Sequence, residues 1–157
     1  MIVIADDITG AAEIAGIAFA RGAEVRLVCG SICGCDTATH PITVIATDTR
    51  SMSEAEAAAE TKRISAAFGS PEGKKVIFKK TDSALRGHVV AELTALMEAT
   101  GYKRAIYLPA NPSKGRIIRN GIYYIKEVEG EKQEVREVPL NETDFSFDPE
   151  FPARTSH

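Results

Sequence analysis

The stretch MIVIADDITGAAEIAGIAFARG, residues 1–22, predicts a buried β-strand that leads directly into an α-helix. Residues 2–5 form an unbroken apolar run, and two aspartates follow it. Apolar residues then recur at helical spacing over residues 10–21, and Gly22 is a typical helix stop. Because a continuously apolar strand is typical of a sheet covered on both faces, this stretch predicts the first strand–helix unit of a parallel sheet.

The same alternation continues along the chain. Residues 24–29, 42–46, 75–78 and 105–108 are predicted strands, and residues 86–100 are a predicted helix. Another helix is predicted up to about residue 68, because Ser53 and Glu56 form the S-x-x-E capping box. The fold class is therefore α/β, an open, doubly wound parallel sheet with helices on both faces.

A β-hairpin region is predicted after the fifth strand. The sequence GRIIRNGIYYI, residues 115–125, has Asn-Gly at its centre, which is the strongest short signal for a hairpin turn. Residues 126–137 alternate in charge, which fits either a second hairpin or an exposed strand. The final stretch, FSFDPEFPARTSH, is rich in proline and is predicted to be irregular.

Composition and charge narrow the class of protein. The chain has 157 residues, which is enough for one domain with a core, and its net charge of −3 argues against a dedicated nucleic-acid binder. No apolar run reaches the roughly 18 residues that a membrane span needs. The start, MIVIADD, lacks the basic region of a signal peptide. We therefore expect a cytoplasmic protein that binds neither membrane nor nucleic acid.

The cysteines lie in one segment, CGSICGC, and are Cys29, Cys33 and Cys35. Their odd number and a reducing compartment argue against a disulfide framework. His40 lies downstream as a possible fourth metal ligand, but the Cys-x3-Cys-x-Cys spacing is unusual for zinc. A loop of small residues after a strand is the favoured interpretation, and no metal site is predicted.

Polar residues gather where the predicted strands end. In an open parallel sheet, ligands bind beyond the carboxyl ends of the strands, and helix N-termini there attract anions. Arginine binds carboxylates and phosphates bidentately, and aspartate accepts hydrogen bonds from hydroxyls. This edge therefore predicts a site for a small polyhydroxylated acid. Its candidate residues are Asp6, Asp7, Asp48, Arg50, Lys79, Lys80, Asp82, Ser83, Arg86, His88, Asn111 and Arg116.

Each candidate also has a simpler explanation. Asp7 or Thr9 serves equally well as the cap of the first helix, and Asp82 or Ser83 as the cap of the third. A lone His88 in a first helical turn is often a surface residue, and Lys79 fits a solvated edge charge. Gly87 is harder to explain, because glycine in a helical turn costs stability unless backbone approaches something closely.

Several motifs in order resemble the four-carbon acid sugar kinase family, which includes 3-oxo-tetronate and threonate kinases. They run along essentially the whole chain and are IADDITGAAEIAG, TDTRS, KKTDSALRGHV-x2-EL, LPANPSKGR and RNGIYYI followed by VPLNETDFSFDP. The resemblance implies the substrate-binding part of an ATP-dependent kinase that phosphorylates a tetronate or 3-oxo-tetronate. The first motif has Ile8 where leucine is more usual, a conservative change.

The resemblance also implies roles for individual residues. Asp6 and Asp7 would contact substrate hydroxyls, with Asp7 as the candidate catalytic base, and Arg50 would meet the carboxylate. Asn111 and Arg116 would face the cleft between two domains. The opposite wall of the substrate site would be formed by Lys80, Asp82, Ser83, Arg86, Gly87 and His88.

Family members have a second, C-terminal domain that carries the nucleotide site. Neither G-x-G-x-x-G nor G-x-x-x-x-G-K-[ST] occurs here. Residues 1–157 are therefore expected to be an incomplete acid-sugar-binding N-terminal domain, inactive alone. ATP and Mg would bind in the C-terminal nucleotide-binding domain, the expected partner. A homo-oligomer is a further expectation.

Three other interpretations compete with this one. A receiver-type signalling domain also places two aspartates after its first strand and one after its third, but it needs a lysine after its fifth strand, where this chain has Pro109. A haloacid-dehalogenase-type phosphatase needs D-x-D, which ADDIT does not supply. A stand-alone acid-sugar-binding module would share the site without the reaction.

Overall fold

A computed structural model describes residues 1–30, 40–68, 76–129 and 134–147. Its residues form two compact units, and each is described by itself. The first unit comprises Met1–Thr81 and Gly87–Ile106, and the second comprises Asp82–Arg86 and Tyr107–His157. No helix in the described ranges is both long and apolar enough to span a membrane.

The first unit contains a four-stranded parallel sheet with helices on both faces, which confirms the predicted fold class. The strand order is β2-β3-β1-β4. A receiver domain has the order 2-1-3-4-5, so this topology excludes that alternative. The elements are β1 (Ile2–Ala5), α1 (Ile8–Ala20), β2 (Val25–Cys29), β3 (Ile42–Ala46), α2 (Glu54–Ala66), β4 (Ile77–Lys80) and α3 (Val89–Thr100).

Successive residues of the central strands point to opposite faces of the sheet and pack against different helices. Ile4 packs with Ile64 of α2 and Leu96 of α3, whereas Val3 packs with Ala11 of α1. Both strand residues are fully buried, as the unbroken apolar run predicts. The Ser53–Glu56 capping box is present at the start of α2. This arrangement brings the carboxyl ends of β1, β3 and β4 to one edge of the sheet.

The second unit contains an antiparallel sheet in the order β5-β6-β7. β5 (Arg116–Arg119) and β6 (Ile122–Glu129) form the hairpin predicted around Asn120-Gly121, where both residues have positive φ, 53° and 81°. β7 (Glu134–Pro139) pairs with β6 in the antiparallel direction, which favours the second-hairpin alternative over an unpaired exposed strand. Short 3-10 turns follow at Leu140–Glu142 and Asp144–Phe147.

The predicted fifth strand, residues 105–108, is wrong. Residues 101–110 contain no strand, and the side chain of Ile106 is 98% exposed and that of Leu108 74% exposed. An apolar run signals a tendency toward burial, but a strand forms only where a neighbouring strand receives its hydrogen bonds. Asn111 and Arg116 therefore do not follow a fifth strand. They belong to the second unit.

The fourth strand and third helix both begin later than predicted. β4 ends at Lys80, so Lys79 and Lys80 lie within the strand and point to opposite faces. α3 begins at Val89 rather than at residue 86, because Leu85 and Gly87 have positive φ values of 60° and 85°, which a helix does not accommodate. Asp82 and Ser83 are consequently not caps of this helix.

Candidate functional site

Arg50 is held by two carboxylates at the carboxyl end of β1. Its Nε and Nη2 donate to the two oxygens of Asp6 at 2.9 and 3.1 Å, and its Nη1 donates to Asp7 Oδ2 at 2.8 Å. Asp6 is buried, with 4% of its side chain exposed, and Arg50 is 17% exposed. The guanidinium thus donates two hydrogen bonds to one carboxylate and one to the other. These bonds fix the orientation of all three side chains.

Arg50 lies in the turn that follows β3, and two threonines of this turn hold it in place. Thr47 Oγ1 donates to Ala5 O at 2.9 Å and lies 2.8 Å from Thr49 Oγ1. Both threonines are buried, whereas Asp48 between them is exposed and has a φ of 55°. The T-x-T alternation therefore turns two hydroxyls inward to anchor the loop and leaves Asp48 in solvent.

Asp7 has two partners at the start of α1. Its Oδ1 accepts from Gly10 N at 2.8 Å, which makes Asp7 the helix cap, and its Oδ2 accepts from Arg50. A Cβ on Gly10 would lie 2.8 Å from Asp7 Oδ1 and 3.3 Å from Lys80 Cγ, so this glycine leaves room for both side chains. A carboxylate has about four lone-pair positions, so each Asp7 oxygen keeps capacity for a further donor.

The two lysines of β4 have different environments. Lys80 lies beside α1, with its Nζ 3.0 Å from Thr81 O and 3.6 Å from Glu13 Oε2. Lys79 points to the other face and forms a buried ion pair with Glu92 at 2.6 Å. The interpretation of Lys79 as a solvated edge charge is therefore wrong. We call Asp6, Asp7, Glu13, Arg50 and Lys80 the carboxylate cluster.

Gly87 and His88 border the carboxylate cluster. A Cβ on Gly87 would lie 3.4 Å from Asp6 Oδ2 and 3.6 Å from Arg50 Cγ. A glycine is required at this position because its φ is positive and two side chains approach it closely. It does not lie inside a helical turn, because α3 begins at Val89. His88 is the N-cap residue of α3 without a side-chain cap bond, and its Nε2 donates to Met52 O at 2.7 Å.

In the second unit, Asp82 organises the loop Asp82–Arg86. Its Oδ2 accepts from Ala84 N at 2.9 Å and from Arg86 Nε at 2.9 Å, and its Oδ1 accepts from Arg86 Nη2 at 3.0 Å. Tyr123 OH donates to Ser83 O at 2.6 Å. The side chains of Ala84 and Tyr123 are buried together in the core of this unit. The loop is thus stabilised by hydrogen bonds to the carboxylate of Asp82 and by the hydrogen bond from Tyr123 to its backbone.

A closed turn places Arg116 at the start of β5. Asn111 and Arg116 exchange two backbone hydrogen bonds of 2.8 and 2.9 Å around the 3-10 turn Pro112–Lys114. Gly115 has a φ of 69°, and a Cβ there would lie 3.0 Å from Lys126 Cβ. Asn111 Oδ1 accepts a hydrogen bond from Ser113 Oγ at 2.7 Å. The role of Asn111 visible in the structure is therefore to close this turn.

Two arginines share one aromatic ring. The guanidinium carbons of Arg86 and Arg116 each lie 5.6 Å from the centroid of Phe145. This distance is within the range of cation–π attraction. We call Asp82, Arg86, Arg116 and Phe145 the arginine cluster.

Burial of Tyr123 beneath this cluster raises the pKa of its hydroxyl above 10.0. The nearby Arg116 guanidinium opposes that rise, while Tyr107 and Asp82 add to it. The phenol therefore remains a neutral hydrogen-bond donor well above neutral pH. It supports the loop at Ser83 without contributing charge.

The sequence-predicted residues thus divide between the two units. The first unit holds Asp6, Asp7, Arg50, Lys80, Gly87 and His88, and the second holds Asp82, Ser83, Arg86, Asn111 and Arg116. The prediction that they contact substrate stays a prediction. The candidate residues predicted from the sequence do not include Thr47, Thr49, Glu13 and Phe145, although all four lie within the quoted motifs. The T-x-T alternation was available as a signal for the threonines, but nothing local indicated that Phe145 lies near two distant arginines.

Cys29 is exposed and free. Cys33 and Cys35 lie outside the described residues. In the described ranges, no three His, Cys, Asp or Glu side chains are grouped so as to hold a metal ion.

Comparison with known proteins assigns the family. A family model described as a sugar-binding N-terminal domain matches residues 1–157. The chain belongs to this family. The resemblance to the four-carbon acid sugar kinases is confirmed by the curated relatives.

The relatives of this sugar-binding domain are named as kinases of four-carbon acids. It is 33% identical over 156 residues to a D-threonate kinase of Salmonella typhimurium, covering 99% of this chain and 34% of the relative. It is 30% identical over 129 residues to a 3-oxo-tetronate kinase of Brucella melitensis, covering 80% of this chain and 30% of the relative. The chain thus spans about a third of the length of these curated relatives.

Solved structures share the fold. A Bordetella bronchiseptica domain of unknown function, crystallised with bound citrate as a domain-swapped dimer, has a TM-score of 0.76 and 28% identity, covering 99% of this chain and 37% of that one. A Haemophilus influenzae protein has a TM-score of 0.80 and 23% identity, covering 99% and 36%. The second likeness concerns the fold alone.

Proposed function

We propose that this chain is the substrate-binding part of an ATP-dependent kinase that phosphorylates a four-carbon sugar acid. The observation that carries the proposal is the Asp6–Arg50–Asp7 arrangement at the carboxyl end of β1, in a chain of the sugar-binding family. The names of the relatives supply the acid class: D-threonate, 3-oxo-tetronate and D-erythronate.

The arrangement suits a polyol because it presents oriented acceptors. Sugar hydroxyls donate hydrogen bonds, and ionised carboxylates are strong acceptors for them. Arg50 holds both carboxylates in place before a ligand arrives, so little side-chain entropy remains to be lost on binding. The role of Arg50 toward the hydroxyl-binding groups is thus orientation, and a direct contact with a substrate carboxylate stays a prediction.

Phosphoryl transfer requires positioning of the attacking hydroxyl more than covalent chemistry by the protein. ATP with Mg would supply the phosphoryl group from a nucleotide-binding domain, the partner proposed for this chain. Asp7 is the candidate base here. Among the described residues, one donor reaches each of its two oxygens, Oδ1 and Oδ2, which fixes the carboxylate while leaving lone pairs for a substrate hydroxyl. By itself, this chain is expected not to phosphorylate the acid.

The likeness to a Bordetella bronchiseptica domain that forms a domain-swapped dimer supports a homo-oligomer as a further part of the proposal. The citrate bound to that domain supports a ligand that carries carboxylates.

The test is a thermal-shift and calorimetric panel of D-threonate, D-erythronate and a 3-oxo-tetronate, with ATP–magnesium as a separate arm. A ligand that binds only the folded state raises the melting temperature by mass action. We expect at least one tetronate to bind and Asp7→Asn to weaken it tenfold or more. Asp48→Asn is the matched control, because Asp48 follows a neighbouring strand and is exposed.

Two results would contradict the proposal. One is the absence of binding by every tetronate. The other is equal affinity of the wild type and the Asp7→Asn variant. Stabilisation by ATP–magnesium without any acid would place the nucleotide on this chain and overturn the assignment to a substrate-binding part.

A further inference from the structure

The arginine cluster concentrates positive charge in the second unit. Two guanidinium groups each lie 5.6 Å from the centroid of the same ring, that of Phe145. Like charges repel unless counter-charges offset them. The partners of each arginine therefore decide what the cluster can bind.

Only one of these arginines has a described counter-ion. Arg86 is held bidentately by Asp82, whose side chain is 10% exposed. Among the described residues, no carboxylate lies within ion-pair distance of Arg116, which is half-buried. Within the described part of the chain, the cluster thus has two cations and one carboxylate, and Arg116 is the cation without a carboxylate partner there.

Arg116 is nevertheless fixed in position. Its backbone is locked by the two hydrogen bonds with Asn111, and Lys126 N donates to Gly115 O at 2.8 Å. Phe145 supports the side chain and itself packs against the buried core of Ala84, Tyr123, Ile125 and Leu140. A guanidinium placed over a ring keeps its N–H groups at its edge, where they fit the two oxygens of a carboxylate or phosphate.

Arg119 shows what a purely structural arginine looks like on the same strand. Its guanidinium lies 5.2 Å from the Tyr124 ring centroid, and its Nη2 forms an ion pair with Glu137 at 2.6 Å. Both arginines have an aromatic support, but only Arg119 has a described carboxylate partner. Within the described ranges, this difference leaves Arg116 as the arginine of β5 that is suited to bind an anion.

We propose that Arg116 binds an oxyanion of the ligand, and that Phe145 is a positioning residue that orients its guanidinium. This inference rests on the proposed function for the identity of the ligand, a sugar acid or a phosphoryl-bearing compound. The carboxylate of the acid and a phosphoryl group share the required chemistry, and the test separates them.

The experiment measures binding to the 157-residue chain by calorimetry, with D-threonate, threitol and inorganic phosphate as probes. Threitol has the hydroxyls without the carboxylate. We expect Arg116→Gln to weaken an oxyanion probe at least tenfold and to leave threitol within twofold. Arg119→Gln, the matched control, should leave every probe within twofold. Unfolding midpoints of both variants verify that the fold is intact.

The role of Phe145 is tested by conservative rescue. Phe145→Leu should weaken the same oxyanion probe about threefold to tenfold because the ring support is lost, and Phe145→Tyr should restore most of the affinity. Threitol should not respond to either change. Equal losses in both variants, or a loss for threitol as well, would show that Phe145 acts only through general packing.

The outcomes separate the two proposals. Loss of D-threonate binding in Arg116→Gln identifies a carboxylate site, and loss of phosphate binding alone identifies a phosphoryl site. If D-threonate does not bind the wild type but phosphate binds through Arg116, the proposed acid is wrong and the oxyanion site stands. Unchanged binding in Arg116→Gln, or no oxyanion binding to the wild type, overturns the inference.

Discussion

The carboxylate cluster and the arginine cluster use the same two residue types in opposite proportions. In the first, three carboxylates surround two cations, and Arg50 donates to two aspartates at once. In the second, the single carboxylate pairs with Arg86, and the guanidinium groups of Arg86 and Arg116 both lie near one ring. An arginine that is saturated by carboxylates orients acceptors for hydroxyls, whereas an arginine without a carboxylate is suited to accept an anion. Charge balance, more than residue type, separates the two chemistries.

The largest expected effect comes from removing Arg50. Arg50→Gln leaves the buried Asp6 carboxylate without its partner, so we expect the free energy of unfolding to fall by about 3 kcal/mol. Arg116→Gln removes the same charge but no described ion pair, so its loss should be about 1 kcal/mol or less. Urea denaturation measures both. Equal losses would break the comparison, because they would mean that Arg116 is also a structural counter-ion.

The second prediction concerns Gly10→Ala, a change that adds a methyl group to the carboxylate cluster without removing any polar group. A Cβ in Gly10→Ala would lie 2.8 Å from Asp7 Oδ1, so the carboxylate must move, at a cost of about 1–3 kcal/mol in stability. Tetronate binding should weaken with it. Gly16→Ala is the control in the same helix, because its Cβ meets nothing within 4 Å. That variant should gain about 0.5–1 kcal/mol. A silent Gly10→Ala would contradict the tight placement of Asp7.

A third prediction concerns the tyrosine below the arginine cluster. Tyr123→Phe removes the bond to Ser83 O and should cost about 1 kcal/mol near neutral pH. Because burial raises the pKa of Tyr123 above its ordinary value of 10.0, the hydroxyl stabilises the fold fully below pH 10.0 and loses this effect as pH rises through the folded-state pKa. The stability difference between wild type and variant should therefore shrink above pH 10.0. A difference that grows there would contradict the assignment.

The smallest expected effect is at Glu13. Its carboxylate lies 3.6 Å from Lys80 Nζ, and both side chains are partly exposed, at 27% and 18%. Glu13→Gln should therefore change the free energy of unfolding by less than about 1 kcal/mol. A loss comparable to that of Arg50→Gln would show that the whole carboxylate cluster, and not its Asp6–Arg50–Asp7 centre, holds this edge together.

The sequence predicted the elements whose signals are local. Ile2–Ala5 and Ile42–Ala46 are buried strands because their apolar runs are unbroken, and the Asn120-Gly121 turn follows from the positive φ that these residues tolerate. The strand predicted at residues 105–108 failed because pairing depends on a neighbour that no local pattern specifies.

The candidate site shows the same limit. The aspartates and arginines were identifiable because polar residues at strand ends are conspicuous in sequence. The division of these residues between two units could not be predicted from the sequence. The pentapeptide Asp82–Arg86 packs with residues much later in the chain, and no local pattern indicates such packing. Phe145 is separated along the chain by about 30 residues from Arg116 and by about 60 from Arg86, so sequence spacing alone gave no reason to group them.

The pentapeptide Asp82–Arg86 has a practical consequence for protein engineering. It belongs to the second unit, although Thr81 before it and Gly87 after it belong to the first. A gene fragment that starts at Tyr107 would therefore encode β5, β6 and β7 without Ala84, a residue of their core, and without Asp82 and Arg86. Transplanting the arginine cluster onto another scaffold requires two separate peptide grafts.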